Sequence, residues 1–215
     1  MKSIILIRHG QSKHHVNGLT GGWTDDDLTE QGRQQAAYLA SRLKKDIGKT
    51  PCYLYSSDLK RALQTAEIIG GKLNLTPKLF PELREFNNGI AAGKTREEAK
   101  KIELSVDGQM ADWRPYPDSE TWITFYERVA SCIEKLTQEQ DCLLLLVTHG
   151  GTILNIISWW LEMRPHLYMK TRKSFDISPA SVTVLRLNEW DERTVERLND
   201  TAHLYAIGLA DGIKY

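Results

Sequence analysis

The chain has 215 residues, 41% of them hydrophobic and 26% charged, with 28 Lys and Arg against 28 Asp and Glu. A chain of this length buries roughly 70% of the surface its unfolded form exposes, so its core needs no disulfide or metal to hold it together. The zero net charge argues against generic binding to nucleic acid or to an anionic membrane, and leaves room only for a local basic pocket.

Ile4–Ile7 is a continuous apolar run, which predicts a strand buried on both faces, and it leads straight into Arg8-His9-Gly10. Residues 10–27 contain Gly18, Gly21, Gly22 and three successive aspartates, and predict a long loop of the kind that carries function. Thr29 is the expected N-cap of a helix whose apolar positions are Ala36, Leu39 or Ala40, Leu43 and Ile47, with Gly48 ending it. CYLYSS (52–57) predicts a second strand. Ser57 is then expected to cap a helix with the stripe Leu59, Ala62, Ala66 and Ile69, stopped by Gly70-Gly71.

Residues 76–120 are the least periodic part, with Pro77, Pro81, Pro115, Pro117 and a charged segment, TREEAKKIE, suited to a short helix. They read as an insertion that caps the sheet within one domain spanning residues 1–215. A helix from about Ser119 follows, with Ile123, Tyr126, Ala130, Ile133 and Leu136 on one face. Next come the strand CLLLLV, a helix over roughly 152–163, the strand SVTVLRL (181–187) and a final strand TVERLND (194–200). This order predicts an α/β fold, a three-layer α/β/α sandwich around a mostly parallel mixed sheet. The last two strands are joined by NEWDER, too short for a crossover helix, so one antiparallel edge strand is expected. The apolar run at Leu143–Val147 is far shorter than the ~18 residues of a membrane span. The N-terminal run is too short for a signal peptide. Cys52, Cys132 and Cys142 form no CxxC pair and are expected as reduced thiols. Together these place the protein in the cytoplasm.

Ligands of open α/β sheets bind beyond the carboxyl ends of the strands. Two core strands end there in Arg-His-Gly and Thr-His-Gly-Gly, and the strand CYLYSS feeds Arg61 to the same rim. A histidine in a strand-to-loop turn is commonly structural, and an arginine in a first helical turn commonly solvated. Arg8, His9, Arg61 and His149 converging on helix N-termini make an anion cage, because buried cations without a counter-charge are costly. A phosphate fits such a cage, since the arginine fork matches its oxygens in pairs.

The segments LIRHGQS, DDDLTEQGRQQA, SSDLKRALQTAEII, LRE with Gly89 four residues beyond its glutamate, and VTHGG occur in this order from Ile5 to about Leu187. Together they resemble the histidine phosphatase superfamily, also called phosphoglycerate-mutase-like. The resemblance implies phosphoryl transfer through a phosphohistidine: His9 as nucleophile, Arg8 and Arg61 as phosphate clamps, His149 as a donor to the phosphoryl group, and Glu85 as general acid and base. Glu82, three residues earlier, is the competing carboxylate, and the LRE context favours Glu85. Gln11, Ser12, His15, Asn17, Gly21, Gly22 and Gly150 lie in the same motifs and join Arg8 and Arg61 as candidate phosphate-binding positions.

The chain departs from the family pattern in places. His15 stands where many relatives have asparagine, so either His15 or Asn17 supplies that hydrogen bond. Lys13-His14-His15 could add positive charge and favour a substrate with a second anionic group. After Glu85 the chain reads GIAAG where the family often has Trp-Glu-Gly, and Glu120 in SETW reads as a capping residue. Residues 86–118 lack the Tyr-Gly and Asn-Lys element of the mutases, which favours a phosphomonoester hydrolase. A phosphoglycerate mutase is the alternative, and a non-catalytic anion-binding module a further one. No cofactor and no metal are expected. The expected partner is a small phosphorylated metabolite, with no nucleic acid and no membrane, in a monomer or homodimer.

Overall fold

The computed structural model describes residues 3–139, 142–166, 174–205 and 207–210. Six strands, β1 (Ser3–Arg8), β2 (Cys52–Ser56), β3 (Lys78–Leu79), β4 (Leu143–Thr148), β5 (Val182–Leu187) and β6 (Arg193–Asp200), form one sheet in the order β3-β2-β4-β1-β5-β6. β3, β2, β4 and β1 pair in parallel. β5 reverses against β1, and β6 pairs antiparallel with β5 to close that edge. The mostly parallel mixed sheet is the one the alternation of elements predicts.

The unbroken apolar runs are explained by cover on both faces. Because strand side chains alternate, Ile4, Leu6, Leu144 and Leu146 pack on one side with Phe125, Val129 and Ile133 of α5 (Trp122–Glu139) and Ile153 and Ile157 of α6 (Gly150–Trp160). Ile7, Leu145 and Val147 pack on the other side with Leu39 and Leu43 of α2 (Glu30–Ile47) and Ala62, Ala66 and Ile69 of α3 (Lys60–Leu73). Deleting a buried leucine side chain here would cost about 2–5 kcal/mol. The rigid sheet therefore holds the carboxyl ends of β1, β2 and β4 in fixed register.

Local chemistry moves several predicted boundaries. The loop 10–27 contains one helical turn, α1 (Lys13–Val16), which Ser12 caps with His15. Ser57 does not cap α3: Leu59 occupies the N-cap, and Ser57 is spent elsewhere. Nor do Gly70-Gly71 stop that helix, which runs to Leu73 and ends on Asn74 at φ 58°. Gly70 lies inside the helix, and its place suits glycine because a Cβ there would sit 2.4 Å from the Leu75 carbonyl oxygen. α5 starts at Trp122 rather than Ser119, and α6 starts at Gly150, directly after His149. TREEAKKIE does form a helix, α4 (Arg96–Lys101), and α7 (Ala202–Tyr205) follows β6. No helix among the described residues is long and apolar enough to cross a membrane.

Candidate active site

β1 delivers Arg8 and then His9, whose amide bonds to the Thr148 carbonyl of β4 at 2.9 Å. β4 in turn delivers His149, the N-cap of α6. Arg61 is the second residue of α3. The residues expected to share this rim therefore do so, with His9, His149 and Arg61 all buried.

The His9 ring is fixed in one tautomer. Its Nδ1 lies 2.7 Å from the Gly10 carbonyl oxygen, which can only accept, so Nδ1 carries the proton and Nε2 the lone pair. Arg61 Nε donates to that Nε2 at 3.2 Å, while its other nitrogens donate to the carbonyls of Gly22 (2.7 Å) and Thr24. The His149 ring stands 5.1 Å from the His9 ring, and its Nε2 is 2.8 Å from Ser57 Oγ. Its buried Nδ1 has no hydrogen-bond partner among the described residues. Burial, then the Arg61 charge, holds both His9 and His149 well below the usual imidazole value.

His15 stacks on His9 with centroids 5.5 Å apart and planes at 13°. Its Nδ1 faces the Ser12 amide at 3.2 Å and its Nε2 faces Arg8 Nη2 at 2.9 Å. Burial, then His14 and Arg8, lowers its pKa to about 3, so the ring is neutral at pH 7. A neutral imidazole can accept at only one nitrogen; two donors thus compete for His15. Arg8 also donates to the Ile177 carbonyl.

Glu85 enters from the opposite wall. Its Oε1 accepts from the Phe86 amide at 2.8 Å and its Oε2 from the Gly151 amide at 2.9 Å. The turn that carries it is pinned from several sides: Thr148 and Thr152 hydroxyls donate to the Leu83 and Arg84 carbonyls, and Trp23 Nε1 donates to the Glu85 carbonyl at 2.8 Å. Arg128, held by Glu120 at 2.7 Å, adds bonds to the carbonyls of Glu82, Arg84 and Glu85. Glu82 itself is exposed.

These groups surround a cavity of about 630 Å³, large enough for a phosphate ester of a small metabolite. Arg8, His9, Gln11, His15, Gly21, Gly22, Arg61 and Glu85 line it. Ser12 lies behind them, its Oγ 3.0 Å from His14 Nδ1. Gly150 sits beside Arg8, where a Cβ would be 3.6 Å from its Nε. Asn17 is exposed at the C-cap of α1 and is not part of the lining, whereas His15 is.

The Lys13-His14-His15 run does not supply the free positive charge expected of it. Lys13 pairs with Asp27 at 3.1 Å, His14 pairs with Asp26 at 3.1 Å, and His15 is deprotonated. Asp26, Arg96 and Arg128 were not singled out in the sequence, His14 was read only as added charge, and Ser57 only as a helix cap. Only the doubled histidine and the triple aspartate hinted at any of them. Among the described residues, no group of three or more His, Cys, Asp or Glu is arranged to hold a metal ion.

Comparison with known proteins agrees with this fold. The model of the histidine phosphatase superfamily (branch 1) matches residues 4–201. Phosphoglycerate mutase-like protein 4 of Arabidopsis thaliana is 31% identical over 95% of this chain and 88% of its own. Among solved structures, phosphoserine phosphatase of Entamoeba histolytica in complex with 3-phosphoglyceric acid is 29% identical, with a TM-score of 0.73 over 95% of this chain and 100% of that one. YhfR of Bacillus stearothermophilus superposes with a TM-score of 0.79 at 25% identity, covering 95% of this chain and 100% of that one.

Proposed function

The chain belongs to the histidine phosphatase superfamily, and on that premise we propose that it is a phosphomonoester hydrolase acting through a phosphohistidine on His9, with Glu85 as general acid and base. The observation that carries the reading is the His9 ring, whose Nδ1 is tied to the Gly10 carbonyl and whose unprotonated Nε2 is turned toward Arg61. Neutral imidazole with a fixed tautomer is the nucleophile such chemistry requires.

The steps follow from the geometry. Arg8 and Arg61 bind the phosphoryl oxygens. Once Arg8 turns to the phosphate, His15 no longer accepts from it. Its Nδ1 can then accept from the Ser12 amide while Nε2–H donates to the phosphate. With Ser57 donating to His149 Nε2, the unpartnered Nδ1 of His149 carries a proton and donates to the same group. His9 Nε2 forms the bond to phosphorus as the ester oxygen leaves, and Glu85 gives that oxygen a proton. Glu85, now a carboxylate, takes a proton from water, whose oxygen attacks phosphorus. The N–P bond breaks, and phosphate departs with His9 neutral again. Fixed cationic and N–H donors around the transferring group supply most of the stabilisation.

Residues about 76–120 act in this reading as a cap on a single domain, since they carry Glu85 and are bonded to the loop over the cavity (Thr20 amide to Lys94 carbonyl, 2.8 Å). The relative solved with 3-phosphoglyceric acid supports a small phosphorylated metabolite as substrate. Free thiols at Cys52 and Cys132 fit a reducing cytoplasm. The Arabidopsis relative's name supports a second reading, phosphoglycerate mutase. Incubating the protein with 3-phosphoglycerate, with and without bisphosphoglycerate, tests the two. Free phosphate is expected; rapid formation of 2-phosphoglycerate with little free phosphate would overturn the hydrolase reading.

A further inference from the structure

The tautomer of His9 depends on one peptide unit, Gly10–Gln11, whose carbonyl accepts from His9 Nδ1 at 2.7 Å. The amide of the same unit, Gln11 N–H, donates to Gln35 Oε1 at 2.9 Å. Gln35 belongs to α2 and is 2% exposed. Its Nε2 donates to the carbonyl of Leu209 at 3.0 Å, in the segment after α7. The two partners fix the orientation of the Gln35 amide, because a backbone N–H can only donate and a carbonyl can only accept. One line of hydrogen bonds therefore runs from Leu209 through Gln35 and the Gly10–Gln11 peptide to the His9 ring.

Other groups hold the rest of this turn. The Gly10 amide donates to the buried Thr65 Oγ1 at 3.2 Å, and the Gln11 carbonyl accepts from the Thr29 amide at 3.0 Å. Close packing brings α2 within reach. A Cβ on Gly10 would stand 2.5 Å from the Gly32 carbonyl oxygen, and one on Gly32 would stand 2.0 Å from the Gln11 carbonyl oxygen. Gln35 follows Gly32 by three residues and shares its face of the helix. Hydrogen bonds in series polarise one another, so donation by the Gln11 amide makes the Gly10 carbonyl a stronger acceptor. The gain is largest when the ring is charged. As the N–P bond forms at Nε2 with the proton kept on Nδ1, the ring becomes an imidazolium and its bond to Gly10 becomes charge-assisted.

We propose that Gln35 is a positioning residue for the nucleophile. It orients and polarises the Gly10–Gln11 peptide, which keeps the proton on His9 Nδ1 and stabilises the phosphorylated ring. The inference rests on the phosphohistidine reading for the charge that develops on His9. Gln35 lies outside the cavity lining, so its effect falls on phosphoryl transfer and not on substrate binding.

The test compares three variants. Gln35→Met keeps the length of the side chain and removes both hydrogen bonds; Gln35→Glu keeps an acceptor for the Gln11 amide; Gln34→Met alters an exposed neighbour on the same helix. The readouts are kcat and KM for phosphate release, Tm, and the His9 ring in ¹⁵N-histidine NMR spectra, assigned against His9→Ala. Gln35→Met should lower kcat about tenfold, the scale of one hydrogen bond to a charged group, with KM within about twofold. Part of its folded population should carry the proton on His9 Nε2. Gln35→Glu should keep the Nδ1–H tautomer and most of kcat even where Tm falls, and Gln34→Met should change none of the three readouts. A folded Gln35→Met with unaltered kcat and tautomer would overturn the proposal. Should that variant not fold, Gln35→Glu decides: a folded Gln35→Glu that loses the Nδ1–H tautomer, or loses kcat tenfold, would overturn it equally. A tautomer shift in Gln35→Met, with no phosphohistidine formed by the unmodified protein, would count against the phosphohistidine reading alone.

Discussion

The Glu85 carboxylate accepts a hydrogen bond from the amide of Gly151, the second residue of α6, at 2.9 Å. The acid and the helix that follows His149 are therefore one unit. Removing the proton donor while keeping its shape isolates the role of Glu85. Glu85→Gln should lower phosphate release from alkyl phosphates by about 10²–10⁴-fold, while p-nitrophenyl phosphate, whose leaving group needs no proton, should be largely spared. Steady-state rates on the two ester types decide it; equal losses on both would remove Glu85 from the acid's role.

The same contact leaves no room for a side chain at residue 151 unless the Glu85 carboxylate moves. A Cβ there would stand 2.4 Å from Glu85 Oε1 and 3.3 Å from the Phe125 ring, with the buried Phe125 unable to retreat. Gly151→Ala should displace the carboxylate and lower kcat/KM on alkyl phosphates by about 10²-fold, the cost of a misplacement near 1 Å. An alanine variant with unimpaired rates on alkyl phosphates would show that the Glu85–Gly151 bond does not position the acid.

His15 and Asn17 are told apart by where they stand. His15 is stacked on His9 inside the cavity and Asn17 is exposed at the end of α1. His15→Ala should raise KM for phosphoesters about tenfold through loss of one hydrogen bond to a charged group, and Asn17→Ala should leave KM within twofold. Initial-rate titrations with one substrate across the two variants measure this. The reverse order would return the donor to Asn17.

Three imidazoles held neutral by burial make stability depend on pH. In the unfolded chain His9, His15 and His149 bind protons near pH 6.5. In the fold His15 is lowered to about 3 and the other two well below 6.5. Their contribution is thus fully present above pH 6.5 and is lost as pH falls from there toward the folded values, because the unfolded state then binds more protons. Tm should decline steadily from pH 7 to pH 4.5, and the decline should be shallower in His15→Asn. A flat Tm over that range would contradict the assignment. The unprotonated His9 should also keep kcat/KM from showing an acid limb at pH 6.5.

What the sequence made legible is what strand physics fixes. IILI and LLLLV are short apolar runs suited to strands covered on both faces, which brings the Arg-His-Gly and His-Gly-Gly that end them to one rim. Arg61 followed from the strand before its helix. Contacts made across long stretches of chain were invisible. Nothing local reveals that Ser57 turns to His149, that Asp26 rather than Asp25 or Asp27 pairs with His14, or that Arg128 locks the turn of Glu85. The adjacent His14 and His15 look alike in sequence. As consecutive residues of one helical turn they point about 100° apart, setting His14 on Asp26 and laying His15 on His9. Glu120, read as a cap, holds Arg128 instead.

The central claim is that phosphate passes through Nε2 of His9. The direct measurement is a reaction with a ³²P-labelled phosphomonoester, quenched in alkaline detergent, digested at alkaline pH and mapped by mass spectrometry. The account predicts a label on His9 that is lost in acid, stable in base, absent from His9→Ala, and formed at least as fast as phosphate is released. Phosphate release at an undiminished rate from His9→Ala, or a label on any other residue, would contradict it.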